Sequence, residues 1–210
     1  LDNAGTGYIV TEGEGISYAT KVRVEPTHEN KPVKSIDSLA GAKRLQSIEI
    51  PDTVSVAKGM MTGVKSSVFA DCPALEAINV YATGDTAKIT SLGGVLYVLE
   101  TKDGEVIGKT LSLVPLAKSG KITVMEDATA IAAYAFSGIG VTEIEIPSTV
   151  TRVGAKAFEN CAELEKVVFS VADEGEKPAE LVIEDGAFAN CANLTTLKLP
   201  GRLAKGQYIE

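Results

Sequence analysis

A chain of 210 residues that is 45% hydrophobic and 23% charged has enough apolar material for a sizeable core, in one domain or two small ones. Its 20 basic and 28 acidic residues leave a net charge of −8 with neither sign gathered into a block, so a phosphate backbone would be repelled and nucleic acid is not an expected partner. The longest unbroken apolar run, Ala130 to Phe136, is far below the roughly 20 residues needed to cross a bilayer, so no membrane-spanning segment is expected.

The start, Leu1-Asp2-Asn3-Ala4-Gly5, lacks the basic and then apolar stretches of a signal peptide and reads as a mature or trimmed end. Within residues 1–35, Tyr8-Ile9-Val10 and Val22-Arg23-Val24 read as strands. From there to residue 200 the sequence repeats itself. With Phe69, Phe158 and Phe188 as origins, an apolar residue stands five positions earlier (Val64, Val153, Ile183) and another one position earlier (Val68, Ala157, Ala187). Cysteine follows at three (Cys72, Cys161, Cys191), leucine at six (Leu75, Leu164, Leu194), and two more apolar residues at nine and eleven (Ile78 and Val80, Val167 and Phe169, Leu197 and Leu199). A worn copy without its Phe ends in Leu45, Ile48 and Ile50, and a copy around Phe136 is one residue shorter. The stretch from Phe136 to Phe158 gives a unit of about 22 residues, a period that marks a solenoid.

The spacings inside the unit indicate what it builds. Offsets −1, 0 and +3 place Ala157, Phe158 and Cys161 on one side of a short helix, whereas offsets +9 and +11 alternate as in a strand. Pro51, Pro147 and Pro200 stand just after the strand pair, where a missing N–H ends a ladder. Gly154 and Gly186 follow the second apolar segment, as a turn with a permissive backbone requires. No single unit can bury its Phe, Leu and Cys, so the units must stack on one continuous core.

Three interruptions break the period. Ser55 to Gly63, with Met60-Met61, lengthens one turn. Between about residues 81 and 120, Val95-Leu96-Tyr97-Val98-Leu99 and Leu111-Ser112-Leu113-Val114 flank Lys102-Asp103-Gly104-Glu105, which predicts a β-hairpin turning on Asp-Gly. Ala172 to Glu180 is charged, contains Gly175 and Pro178, and reads as a solvated loop, and residues 201–210 read as a tail.

The segments Ile144-Glu145-Ile146-Pro147-Ser148-Thr149-Val150-Thr151-Arg152-Val153-Gly154-Ala155-Lys156-Ala157-Phe158-Glu159-Asn160-Cys161 and Ile183-Glu184-Asp185-Gly186-Ala187-Phe188-Ala189-Asn190-Cys191-Ala192-Asn193-Leu194 closely resemble the BspA-like leucine-rich repeat. The resemblance covers roughly Leu39 to Pro200. It implies an α/β fold, a right-handed β-α superhelix with parallel strands on its concave side, short helices and an inserted hairpin. Residues 1–35 would then cap the stack and residues 36–200 would carry the repeats. It also implies a bacterial surface or secreted protein acting in adhesion and protein binding.

Residues suited to chemistry are few. Three cysteines at one repeat position give neither a disulfide framework nor metal spacing, and read as a ladder of buried thiols. The single histidine, His28, reads as a surface loop residue and rules out two-His metal sites within one chain. Gly5, Gly7, Gly13 and Gly15 are interleaved with Glu12 and Glu14 and lead to no phosphate loop, and neither Asp103-Gly104 nor Asp185-Gly186 extends into a calcium loop. No acid stands alone in an apolar setting where a raised pKa would mark a catalyst. No cofactor, metal or catalytic residue is expected.

The strand face remains. Side chains alternate, so the residue between two core positions points outward: Glu49, Asn79, Thr123, Glu145, Val168 and Lys198. The preceding outward row includes Ser47, Ala77, Glu143, Lys166 and Thr196. Stacked units would place both rows on one open parallel sheet, grading from acidic Glu143 and Glu145 to basic Lys166 and Lys198. Such a surface suits a protein or glycan chain. The competing reading is a structural spacer in a larger surface protein, with a merely solvated face. The core assignment itself predicts that Phe158→Ala costs roughly 3–5 kcal/mol; a thermal melt indistinguishable from that of the parent would remove Phe158 from the core.

Overall fold

The computed structural model describes residues 8–10, 16–39, 41–55, 68–69, 71–84, 86–171, 180–200 and 203. The lengthened turn beyond Ser55, Val64, the loop 172–179 and most of residues 201–210 lie outside the described residues. The first elements are β1 (Tyr8–Val10), β2 (Lys21–Arg23), β3 (Thr27–His28), β4 (Lys31–Ile36), β5 (Ser47–Pro51) and β6 (Ala77–Tyr81). A meander of β7 (Ile89–Leu92), β8 (Val95–Lys102) and β9 (Glu105–Leu113) follows. The later coils contribute β10 (Ser119–Thr123), β11 (Ala130–Ile131), β12 (Gly140–Ile146), β13 (Arg152–Val153), β14 (Lys166–Phe169), β15 (Val182–Ile183) and β16 (Thr196–Lys198).

Successive coils pair in parallel on two sides. One side is the sheet β10-β12-β14-β16; on the other, the two-residue strands β11, β13 and β15 continue in parallel from β9, which β8 and β7 extend antiparallel. Inside the coils the stack is sealed by aromatic rings: Phe136 and Phe158 lie 4.8 Å apart, Phe158 and Phe188 5.0 Å apart. All three are buried, with Cys161, Leu164, Ile144 and Ile146 around them.

The expected short helices are not there: the described residues contain no helix, and the segments at 133–138, 155–160 and 185–190 are successive turns. Alternate N–H groups point to the next coil, as in Phe136 N to Ala157 O (2.8 Å) and Gly138 N to Glu159 O (2.9 Å). The N–H groups between them close turns within the coil, as in Ser137 N to Tyr134 O and Ile139 N to Phe136 O. Left-handed residues recur two before and two after each Phe: Tyr134 and Gly138, Lys156 and Asn160, Gly186 and Asn190. The physical reason is spacing. Packed helices need 8–10 Å between axes, whereas rings and strands here hold the coils about 5 Å apart on both sides. Offsets −1, 0 and +3 still reach the core, through turns instead of a helix.

The hairpin is confirmed and has an additional strand. Asp103 and Gly104 both have positive φ (54° and 85°), the type I′ geometry that suits strand twist, and Gly93-Gly94 repeats it between β7 and β8 (57° and 79°). This meander divides the apolar interior, so the single continuous core expected above becomes two. Val95, Tyr97 and Leu111 face a C-terminal core with Phe136, Phe158 and Phe188. Leu96 and Leu113 face an N-terminal core with Ile48, Ile50, Phe69, Cys72 and Leu75. Alternation along β8 explains the division: both faces are covered, and each takes every second side chain.

Two smaller expectations change. Pro51 closes β5 opposite Tyr81 instead of standing after it. Gly154 has no positive φ; it is glycine because an added Cβ would sit 2.4 Å from the Ala133 nitrogen of the neighbouring coil. Gly138 (φ +72°) has open space where its Cβ would go. Gly154→Ala should therefore cost roughly 1–3 kcal/mol through forced separation of the coils, and Gly138→Ala roughly 1–2 kcal/mol through backbone strain alone. Urea midpoints test both, and a Gly154→Ala protein as stable as its parent would contradict the close approach.

Candidate functional site

The outward positions are set by the core positions beside them. Ile144 and Ile146 are fully buried, which forces Glu143 and Glu145 onto the opposite face of β12. Pairing aligns the residues across coils: Lys121, Glu143, Lys166 and Thr196 form one row, and Thr123, Glu145, Val168 and Lys198 the other. Thr123 and Lys198 are exposed, and Glu143, Glu145, Lys166 and Val168 are half-buried.

Glu49 and Asn79 do not join these rows. They belong to a separate sheet, β2-β5-β6, in which Arg23, Glu49 and Asn79 align. The turn between β7 and β8 takes the place of a strand beside β6: Ile78 N donates to Gly94 O (2.9 Å), and Lys118 Nζ to Gly93 O (2.6 Å). The expected single sheet is thus two sheets separated by a glycine turn.

The expected run from acidic Glu143 and Glu145 on β12 to basic Lys166 on β14 and Lys198 on β16 is kept in strand order, but Lys121 on β10 adds a base on the other side of the acids. Lys121 Nζ lies 2.6 Å from Glu145 Oε1 and 3.8 Å from Glu143 Oε1, and Lys166 Nζ lies 2.7 Å from Glu143 Oε1. Thr123 Oγ1 donates to Glu145 Oε2 (3.1 Å). Lys121 on β10 and Lys166 on β14 flank the two acids of β12 and largely cancel their charge. Lys198 makes no ion pair with a described residue. Lys121 completes the network; the alternation that selects Glu143 selects Lys121 as well, two residues before Thr123, so its signal was in the sequence. Arg23 is the corresponding omission on the N-terminal sheet, with Nη1 2.7 Å from Glu49 Oε2 and its guanidinium 4.1 Å from the centre of the Tyr81 ring.

These pairs move the titrations. The Lys166 hydrogen bond holds Glu143, and the Lys121 hydrogen bond holds Glu145, below the ordinary carboxylate range. The bond to Glu145 raises Lys121. Elsewhere, Cys72 is pushed up to about 11, mainly by burial. His28 lies exposed on β3, a surface strand instead of a loop. Among the described residues no group of three or more His, Cys, Asp or Glu could hold a metal ion.

A cleft of about 460 Å3 opens between the end of β6 and the meander, lined by Asp52, Tyr81, Ile89, Leu99, Val106 and Lys109 among others. Asp52 is a buried acid that the repeat reading passed over, and its Oδ1 accepts from Thr83 N and Thr83 Oγ1 (3.1 and 2.7 Å). It fastens the loop after β6.

Short coils sealed by stacked phenylalanines, with parallel strands presenting an open face, define a leucine-rich-repeat solenoid. Residues 117–208 match the BspA type leucine rich repeat region in six copies, so this part of the chain carries that repeat. The copy around Phe69 precedes the matched residues. No curated protein matches the chain. Among solved structures it is similar to the T. pallidum leucine rich repeat protein TpLRR, with 21% identity over 97% of this chain and 79% of that one and a TM-score of 0.49. It is similar to the pneumococcal vaccine antigen PcpA, with 17% identity over 94% and 57% and a TM-score of 0.48. A leucine rich cell surface protein from Faecalibacterium prausnitzii A2-165 gives 17% identity over 85% and 59% and a TM-score of 0.47. The chain thus spans less than two thirds of the length of the last two.

Because Glu143 and Glu145 are lowered, their pairing stabilises the fold above the ordinary carboxylate pKa and is lost as pH falls through the lowered folded values. Lys121→Met should bring the Glu145 carboxyl back toward its ordinary pKa in a carboxyl NMR titration. Any destabilisation it causes near neutral pH should vanish at about pH 2; an unmoved Glu145 titration would contradict the pair.

Proposed function

We propose that this protein is a non-catalytic bacterial surface or secreted module that binds a macromolecular partner, a protein first and a glycan chain second, through the open face of β10, β12, β14 and β16. The supporting observation is the pair of rows on that face, from Lys121 and Thr123 to Thr196 and Lys198, held in register by pairing with the sealed core behind them. A surface of this kind is broad and repetitive and favours a chain or a protein over a small molecule. The match to the BspA-type repeat supports the surface location in this reading. In this reading residues 1–35 act as the cap, residues 36–200 as the repeat body, and Glu49 and Asn79 form a second, smaller patch.

The spacer reading has its own support: Glu143 and Glu145 are already occupied by Lys121 and Lys166, which leaves Lys198 and Val168 as the groups most open to a partner. An array of extracellular-matrix proteins and glycans distinguishes the two. Binding that falls at least tenfold when Glu145→Lys is combined with Lys198→Glu supports recognition by this face. Binding at full strength in that variant removes the face from consideration, and an array with no binder favours the spacer.

A further inference from the structure

The three cysteines share a repeat position but not an environment. Cys72 lies in the N-terminal core, beyond the wall made by β8, whereas Cys161 and Cys191 lie on adjacent coils of the C-terminal stack. Three observations fix their register. The Phe158 and Phe188 rings stack at 5.0 Å, the Asn190 side-chain amide donates to Asn160 Oδ1 at 2.9 Å, and Asn160 N donates to Ala189 O at 2.9 Å. Cys161 and Cys191 are the next residues along, so their backbones stand about one strand spacing apart, roughly 4.8 Å. That lies inside the 4.4–6.8 Å window for Cα atoms joined by a disulfide. Their thiols run in parallel, each donating to a carbonyl of the preceding coil: Cys161 Sγ to Phe136 O (2.9 Å) and Cys191 Sγ to Phe158 O (3.0 Å). Cys161 is buried and Cys191 half-buried, which gives the pair one accessible sulfur and one sheltered sulfur.

We propose that Cys161 and Cys191 are a thiol pair that a small-molecule disulfide such as oxidised glutathione converts into an inter-coil disulfide, stapling the last two coils together. The Cys191 thiolate attacks the external disulfide, forming a Cys191 mixed disulfide and expelling one thiolate. The Cys161 sulfur then attacks the Cys191 sulfur, the Cys161–Cys191 bond forms, and the second external thiolate leaves with the Cys161 proton. Two protein thiols are oxidised and one external disulfide is reduced to two thiols. The order of attack follows from access: the half-buried Cys191 sulfur meets the external disulfide first, and the buried Cys161 sulfur resolves the mixed disulfide. The staple exchanges two S–H to carbonyl bonds for one covalent link across the ring stack.

The test uses the full chain, incubated with oxidised glutathione, alkylated under denaturing conditions and weighed. The expected product is a monomer lighter by about 2 Da before alkylation, with Cys72 alkylated and the tryptic peptide 157–166 joined to the peptide carrying Cys191. Its Tm should rise by roughly 5–10 °C and return on reduction. Cys72→Ala should form the link unchanged, and Cys191→Ser should leave Cys161 reduced. A Cys191–glutathione adduct that persists, a link through Cys72, or full alkylation at both Cys161 and Cys191 would each overturn the proposal.

Discussion

The fold depends on one constraint: neighbouring coils must stand about 5 Å apart on every side. Parallel strands set that distance on two faces, and the rings of Phe136, Phe158 and Phe188, at 4.8 and 5.0 Å, set it in the interior. A Phe in this position contributes roughly 1.5–3 kcal/mol through burial, and the stacked geometry adds to that. The same spacing excludes helices, which explains why a repeat with helix-like offsets folds as consecutive turns. It also sets the glycine requirements, because Gly154 must let the Ala132–Ala133 backbone approach where a methyl group would collide.

The meander of β7, β8 and β9 is the second organising element. It serves as a wall with apolar residues on both faces instead of an ornament on a continuous stack. Leu96 and Leu113 seal the N-terminal core, and Val95, Tyr97 and Leu111 seal the C-terminal one. The buried Tyr97 hydroxyl is not left unsatisfied, since Met125 N donates to it at 3.1 Å. By inserting its Gly93-Gly94 turn beside β6, the meander also breaks the outer sheet. It therefore decides how large a continuous strand face the protein can present.

The face that remains continuous is electrically quiet. Exposed ion pairs of this sort contribute little to stability, typically 0–1 kcal/mol, but they organise side chains that would otherwise move independently. Lys121, Glu143, Glu145 and Lys166 form a cross-strand lattice, and the groups beyond it, Val168 and Lys198, remain the most available. The same in-register stacking that aligns charges on the outside aligns sulfurs on the inside. Repetition therefore underlies both the proposed recognition face and the proposed thiol pair.

Much of this was legible in the chain itself. Phe136, Phe158 and Phe188 as core, Ile144 and Ile146 as inward residues, Glu145 and Lys198 as outward ones, and the Asp103-Gly104 turn all follow from spacing and turn chemistry, because alternation and φ > 0 preferences act locally. Gly138, Asn160 and Asn190 suit the left-handed positions of these turns, but Gly or Asn after an apolar face equally marks the end of a helix, so the sequence alone leaves turns and helix alike open. The sequence by itself determined which residues face inward in each coil. Only the tertiary structure decided which coils touch: that β8 would divide the core, that Glu49 and Asn79 would be cut off from Thr123 and Glu145, that Lys121 would neutralise two acids, and that Cys161 would meet Cys191 and not Cys72. The physical reason is that a period fixes the orientation of a side chain within its own turn of chain, whereas adjacency across coils depends on backbone pairing that an intervening strand can redirect.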